Sequence, residues 1–243
     1  MLAFGDSITN GGGELQWGVA LHSWALWTAR GLGLPYSCWA ADGARARDVL
    51  DSQIPSFERI RASPGARYDV GCLYVGVNDV RGPEWDPAAY AADLRRALAL
   101  VRGLCDRALA LTAPLALGLP PAGVAVAEMN AAVRAAAAAT GSLVVELGDF
   151  GARNHVMADR VHPTAFGQIA IAERALAVLA ADGLPPRASP ASLIEWRATR
   201  WGRLRGDWTY VHRSARLRAA AALRQLRAGA VAIGADRRPG PGS

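Results

Sequence analysis

The sequence predicts an α/β protein in which a five-stranded parallel sheet carries helices on both faces. Three observations lead there. Short apolar runs alternate five times with segments of helical periodicity. Polar residues with chemical potential follow the C-terminal ends of those runs, the edge where open α/β sheets bind ligands. The alternation then stops at Gly183-Leu184-Pro185-Pro186, which divides a body of residues 1–186 from an extension of residues 187–243.

The first strand is Leu2-Ala3-Phe4, followed at once by Gly5-Asp6-Ser7. The loop Asn10-Gly11-Gly12-Gly13 matches neither G-x-G-x-x-G nor the lysine-containing phosphate loop, and is read as a flexible lining of the site entrance. Trp17 to Gly31 reads as an amphipathic helix, with Trp17, Leu21, Trp24, Ala25 and Thr28 at helical spacing. Tyr36 to Ala40 is the second strand, and Arg45 to Ile60 the second helix, in which Pro55 predicts a kink or break. Tyr68 to Val75 has the unbroken apolar character of a central parallel strand. A helix from Pro87 to Arg102, a strand from Ala108 to Thr112, a helix from Val124 to Ala139 and a strand from Leu143 to Leu147 follow. Thr164 to Ala181 is the last long helix of the body.

Composition narrows the class. The 51% hydrophobic and 20% charged content is that of a globular chain. All 27 basic residues are arginine, and they are unevenly placed. Residues 1–186 hold 15 Arg against 18 acidic residues, whereas residues 187–243 hold 12 Arg against Glu195, Asp207 and Asp236. The positive charge therefore belongs to the extension. Cys38, Cys72 and Cys105 lack metal-ligand spacing and form an odd set, which suits reduced thiols better than a disulfide framework. Only six residues precede Ser7 and no run has the length of a membrane span, so the expected location is cytoplasmic.

Four polar segments meet at one predicted sheet edge: Gly5-Asp6-Ser7, Ala41-Asp42-Gly43-Ala44, Gly76-Val77-Asn78-Asp79 and Asp159-Arg160-Val161-His162-Pro163. Their chemistry is that of acyl transfer. His162 can take the Ser7 proton and return it to a leaving group, while Asp159 holds the imidazole tautomer. The N–H groups of Ser7 and Gly43 and the Asn78 amide can face a developing oxyanion.

This set resembles the SGNH hydrolases, also called GDSL esterases and lipases, over about residues 1–182. Gly5-Asp6-Ser7 matches their first block, Gly43 the glycine of the second, Gly76-Val77-Asn78-Asp79 the third and Asp159-Arg160-Val161-His162-Pro163 the last. The second block departs from the family, with Asp42 where asparagine is frequent, and Ile8 replaces the usual leucine after the serine. The G-x-S-x-G elbow of the α/β-hydrolases is missing, because Ile8-Thr9 follows Ser7. The resemblance implies a flavodoxin-like α/β/α sandwich with Ser7 as nucleophile, His162 as base and Asp159 as orienting acid. It also implies an oxyanion hole of Ser7, Gly43 and Asn78, with no metal or organic cofactor. A short-acyl or acetyl ester is the expected substrate; lysophospholipid, thioester and acyl-transfer chemistry are the alternatives within the family.

Asp6, Trp17, Asp79, Trp85 and His155 are the further candidates to line the substrate site, although the simpler role for Asp79 is a hydrogen bond at the strand end. From about Ala188 to Ala230 arginines alternate with apolar residues, as at Arg213, Arg216, Leu217, Ala220, Leu223, Arg224 and Leu226. This suggests a basic amphipathic helix. A helix laid on the protein's own surface, or a contact between copies, is favoured over docking on anionic lipid or nucleic acid. Residues 237–243 are expected to be disordered.

Overall fold

The computed structural model describes residues 1–14, 19–61, 63, 65–152, 154–194 and 199–235, so Trp17 and residues 237–243 lie outside the described residues. Strand β1 (Leu2–Gly5) is buried along its whole length. It runs into a one-turn helix, α1 (Ser7–Asn10), that the sequence pattern did not disclose. Helix α2 (Trp24–Leu32) starts later than the apolar spacing suggested. One cause is local and one is not: the Ser23 hydroxyl accepts the Leu26 N–H, and the distant Gln168 side-chain oxygen takes the Trp24 N–H. Gly33, in the left-handed region, ends it.

After β2 (Ser37–Cys38) come α3 (Ala46–Asp48), a π turn (Val49–Gln53) and α4 (Ile54–Ile60) in unbroken succession. Pro55 does not break this helical run. The ring of a helical proline collides with the carbonyl four residues earlier, and the wider turn just before it, where the Ile54 N–H reaches Val49 O, makes room. Strand β3 (Tyr68–Tyr74) leads into another one-turn helix, α5 (Val77–Val80). Helix α6 (Pro87–Leu104) is capped by the Asp86 carboxylate, which accepts the Ala88 and Ala89 N–H groups, with Pro87 in the first turn. Then follow β4 (Cys105–Leu111), α7 (Val124–Thr140), β5 (Leu143–Val145) and α8 (Ala165–Ala181), the last capped by Thr164.

The five strands are all parallel in the order β2-β1-β3-β4-β5. Helices α2 and α8 pack together over one face, and α3, α6 and α7 lie side by side over the other. This is the doubly wound arrangement the alternation predicted. Because the chain leaves β1 toward β2 and then returns past it to β3, the strand order reverses between β1 and β3. The crevice opens at their carboxyl ends. Leu2 to Gly5 sit opposite Gly71 to Tyr74 in register, so the polar segments after β1 and β3 emerge side by side.

The segment after Pro186 stays on the body. The N–H groups of Arg187 and Ala188 both reach Gly31 O, and Pro190 is buried at the head of a 3-10 turn (Pro190–Leu193). Helix α9 (Arg200–Ala235) is the last described element.

Three buried carboxamides hold the strand ends and the turns beyond them. The sheet ladders stop short of the loops, and a buried backbone N–H or C=O without a partner is costly. Gln53 covers both groups of Gly5, at 2.9 Å to its N–H and 2.8 Å to its oxygen. Asn130 does the same for Ala113, at 2.7 and 2.8 Å. Gln168 takes the Trp24 N–H at 2.7 Å and donates to Ile8 O and Gly12 O at 3.1 and 3.0 Å. Replacing Gln53 by leucine takes this acceptor from the Gly5 N–H, while Gly5 O keeps the Ala41 N–H. The Gln53→Leu variant is expected to lose about 1–3 kcal/mol of stability in denaturant titration, and an unchanged midpoint would show that the clamp does not contribute.

Candidate active site

Ser7 enters the crevice as the first residue of α1, and the local chain explains why. The Asp6 backbone N–H bonds Tyr74 O, fixing the end of β1 to β3. The Asp6 side chain turns inward and caps α1, accepting the Ile8 N–H at 3.0 Å. It is fully buried, and its second oxygen has no hydrogen-bond partner among the described residues. Burial pushes its pKa up to about 7, against the pull of the Ile8 hydrogen bond and the nearby His162. Asp6 thus stands behind the serine as a cap, not in front of it as a substrate contact.

His162 arrives on a tight turn. One oxygen of Asp159 accepts the backbone N–H groups of Val161 (2.9 Å) and His162 (3.1 Å), closing the turn, and Arg160 takes the left-handed conformation at φ 56°. The other oxygen meets His162 Nδ1 at 2.7 Å, and Nε2 lies 3.0 Å from Ser7 Oγ. A serine, an imidazole and a carboxylate are therefore joined in one hydrogen-bonded chain. Burial works against the Asp159 charge, yet the His162 ring and the two N–H groups hold its pKa below the ordinary carboxylate value. The hydrogen bond to Asp159 outweighs burial at His162 and raises the imidazole pKa above its usual value.

Backbone proximity and side-chain hydrogen bonds gather the four blocks. Gly13 lies against Pro163, so a Cβ at position 13 would run into the Pro163 carbonyl; together with φ 152° this explains the glycine. The Asn10 amide donates to Asp42 at 3.0 Å, and the Asn78 amide to Ala44 O at 3.0 Å. The Gly43 loop is thereby tied to α1 on one side and α5 on the other. At Gly43 the space is open and φ is 77°, so the turn and not crowding demands glycine. Among the described residues no acceptor takes the backbone N–H of Ser7 or of Gly43. Ser7, Gly43 and Asn78 thus lie in segments that these hydrogen bonds join.

The other candidates make contacts of their own. Both Asp79 oxygens face the Ala46 N–H at 3.3 Å, at the start of α3, and burial raises its pKa to about 6. Trp85 donates to Glu128 at 2.9 Å and lies against Tyr90, toward α7. His155 stacks on Phe150, its carbonyl accepts the Thr164 N–H, and burial followed by the Arg174 charge lowers its pKa. Gln168 is the residue the sequence reading missed. Through Ile8 O and Gly12 O it fastens the serine segment to the helix that follows His162. Its signal was a polar side chain on the apolar stripe of α8, between Ala165 and Ala172. Among the described residues no three His, Cys, Asp or Glu side chains are grouped to hold a metal ion.

The chain is similar to several solved structures. An acetylxylan esterase from Geobacillus stearothermophilus is 19% identical with a TM-score of 0.56, over 73% of this chain and 92% of that one. Catalytic mutants of that enzyme have been solved at a serine, at an aspartate and at a histidine three residues beyond the aspartate. An α/β hydrolase from the metagenome of Lake Arreo, Spain, is 19% identical with a TM-score of 0.58, over 74% and 94%. At such identities the likeness is one of fold. No curated protein sequence matches. The profile of the GDSL-like lipase/acylhydrolase family matches residues 3–169, which includes every block of the crevice, and the chain belongs to that family.

Proposed function

We propose that this serine hydrolase cleaves a small-acyl carboxylic ester, an acetyl ester first, through an acyl-enzyme on Ser7. The observation that carries the proposal is the hydrogen-bonded chain from Ser7 Oγ through His162 to Asp159. Ser7 Oγ attacks the ester carbonyl carbon as its proton passes to His162 Nε2. The negative charge that develops on the carbonyl oxygen faces the N–H groups of Ser7 and Gly43 and the Asn78 amide. Collapse breaks the bond to the alkoxy oxygen, which leaves as the alcohol with the proton from His162. Water then gives a proton to His162 and attacks the acyl carbon, the bond from that carbon to Ser7 Oγ breaks, and His162 returns the proton to Oγ as the carboxylic acid leaves. Asp159 stays ionised throughout and balances the imidazolium. The acetyl preference draws on the acetyl ester substrates named for the Geobacillus enzyme, whose catalytic serine, aspartate and histidine show the same three-residue spacing of acid and base.

Turnover of p-nitrophenyl acetate is expected to exceed that of the octanoate ester. Ser7→Ala is expected to lose at least about a thousandfold in kcat. Full activity in Ser7→Ala would remove the nucleophile, and preference for the long chain would remove the small-acyl substrate.

The pH dependence follows from the sign of the His162 shift. The base must be neutral to accept the Ser7 proton, so kcat/KM rises with pH through the free-enzyme His162 pKa. Asp159 raises that pKa. The acid limb of wild type is therefore expected above the ordinary histidine value. In Asp159→Asn the limb should move to lower pH, while the plateau drops by about 10²–10⁴-fold. A limb that stays in place would show that Asp159 does not hold the base.

A further inference from the structure

Helix α9 is the element that ester chemistry leaves unused. One side of it meets the body. Arg213 pairs with Glu14 at 2.6 Å, and Tyr210 and Arg218 close a cavity of about 300 Å³ against Phe150, Met157 and Arg160. A helix docked on a globular domain ordinarily turns its apolar stripe inward and its polar face to water. This helix does the reverse. Trp201, Leu204, Trp208 and Val211 point outward, 82%, 60%, 73% and 51% exposed. Their spacing of three and four residues places them on one face, and at 3.6 residues per turn Tyr210 and Arg213 fall on the opposite side.

Arginines border the outward stripe. Arg205 and Arg216 lie along one edge, and Arg200 and Arg218 along the other beside Asp207, all exposed. An apolar stripe edged by guanidinium groups, with indole rings in it, is the pattern of a helix lying in a bilayer interface. No described helix is long and apolar enough to cross a membrane, and α9 is far too rich in arginine. We infer that α9 docks the protein on an anionic lipid surface through Trp201, Leu204, Trp208 and Val211, while its inner face stays on the body.

Charge favours this occupant. The extension of residues 187–243 carries 12 Arg against 3 acidic residues, and the body carries 15 against 18. An anionic surface attracts the extension and leaves the acidic body facing away from it. A second copy seated on the same face would bring like-charged arginine edges together. Duplex nucleic acid would use the arginines but keeps its bases stacked away from the indole rings, and a single strand stacked on Trp201 and Trp208 would leave Leu204 and Val211 without an apolar partner.

The test is flotation of the full-length protein with phosphatidylcholine vesicles that contain or lack phosphatidylserine, at low and high salt. Binding is expected only with phosphatidylserine and is expected to weaken with salt. The double variant Trp201→Ser, Trp208→Ser should bind at least about tenfold more weakly. The pair Arg205→Gln, Arg216→Gln should lose about fivefold for each arginine removed. Both should hydrolyse p-nitrophenyl acetate in solution as wild type does. Failure to float with phosphatidylserine vesicles at low salt would overturn the inference, as would binding that ignores the tryptophan pair. A dimer in sedimentation that the tryptophan pair dissociates would overturn it too, making the face a contact between copies.

Discussion

The structure depends on satisfying buried backbone groups where the strands end. A parallel sheet covered on both faces admits no water at its centre, yet its ladders must stop so that loops can form a crevice. Each N–H or C=O left without a partner there costs about 1–3 kcal/mol. The fold answers with carboxamides from distant helices. Gln53 holds Gly5, Asn130 holds Ala113, and Gln168 holds Ile8 and Gly12. A glutamine side chain has little reach, so each bond also fixes a distance. Gly5 and Ile8 flank the Asp6-Ser7 step, and Gln168 lies on the helix that begins just after His162. The packing requirement and the alignment of serine with imidazole are met by the same atoms.

Three carboxylic acids near the crevice are held in different protonation regimes. Asp159 receives two backbone N–H groups and the His162 ring, which keep it ionised in spite of burial. Asp6 receives one N–H and is otherwise buried without a partner, so it titrates near neutrality, at about 7. Asp79, facing Ala46, falls between them at about 6. Environments that push like groups apart in this way assign them different work. Asp159 is the charge that balances an imidazolium. Asp6 is a cap whose helix turn delivers Ser7.

Much of this was legible in the residues. Five apolar runs separated by helical periods indicate the doubly wound sheet, and four polar blocks after strand ends mark the crevice. What escaped had tertiary causes. One-turn helices such as α1 and α5 have no period to detect; α1 exists because Asp6 caps it and Gln168 binds its Ile8 carbonyl. The start of α2 at Trp24 depends on Gln168, far away in sequence. Pro55 announced a break, and a π turn upstream absorbed it. Strand β4 begins at Cys105, ahead of the apolar run, because Tyr68 and Val70 of β3 pair with it across Asp106 and Arg107. The alternating arginines of the extension predicted an amphipathic helix. Only the fold could show that its apolar stripe points away from the body.

The measurement that bears most directly on the Ser7–His162–Asp159 chain is covalent labelling with diethyl p-nitrophenyl phosphate, read by intact mass and peptide mapping. An activated serine displaces nitrophenolate and keeps the diethylphosphoryl group. One group per chain, on the peptide that contains Ser7 and lost in His162→Ala, is the predicted result. A label on another residue, no label at all, or labelling of Ser7 that persists without His162 would contradict the account.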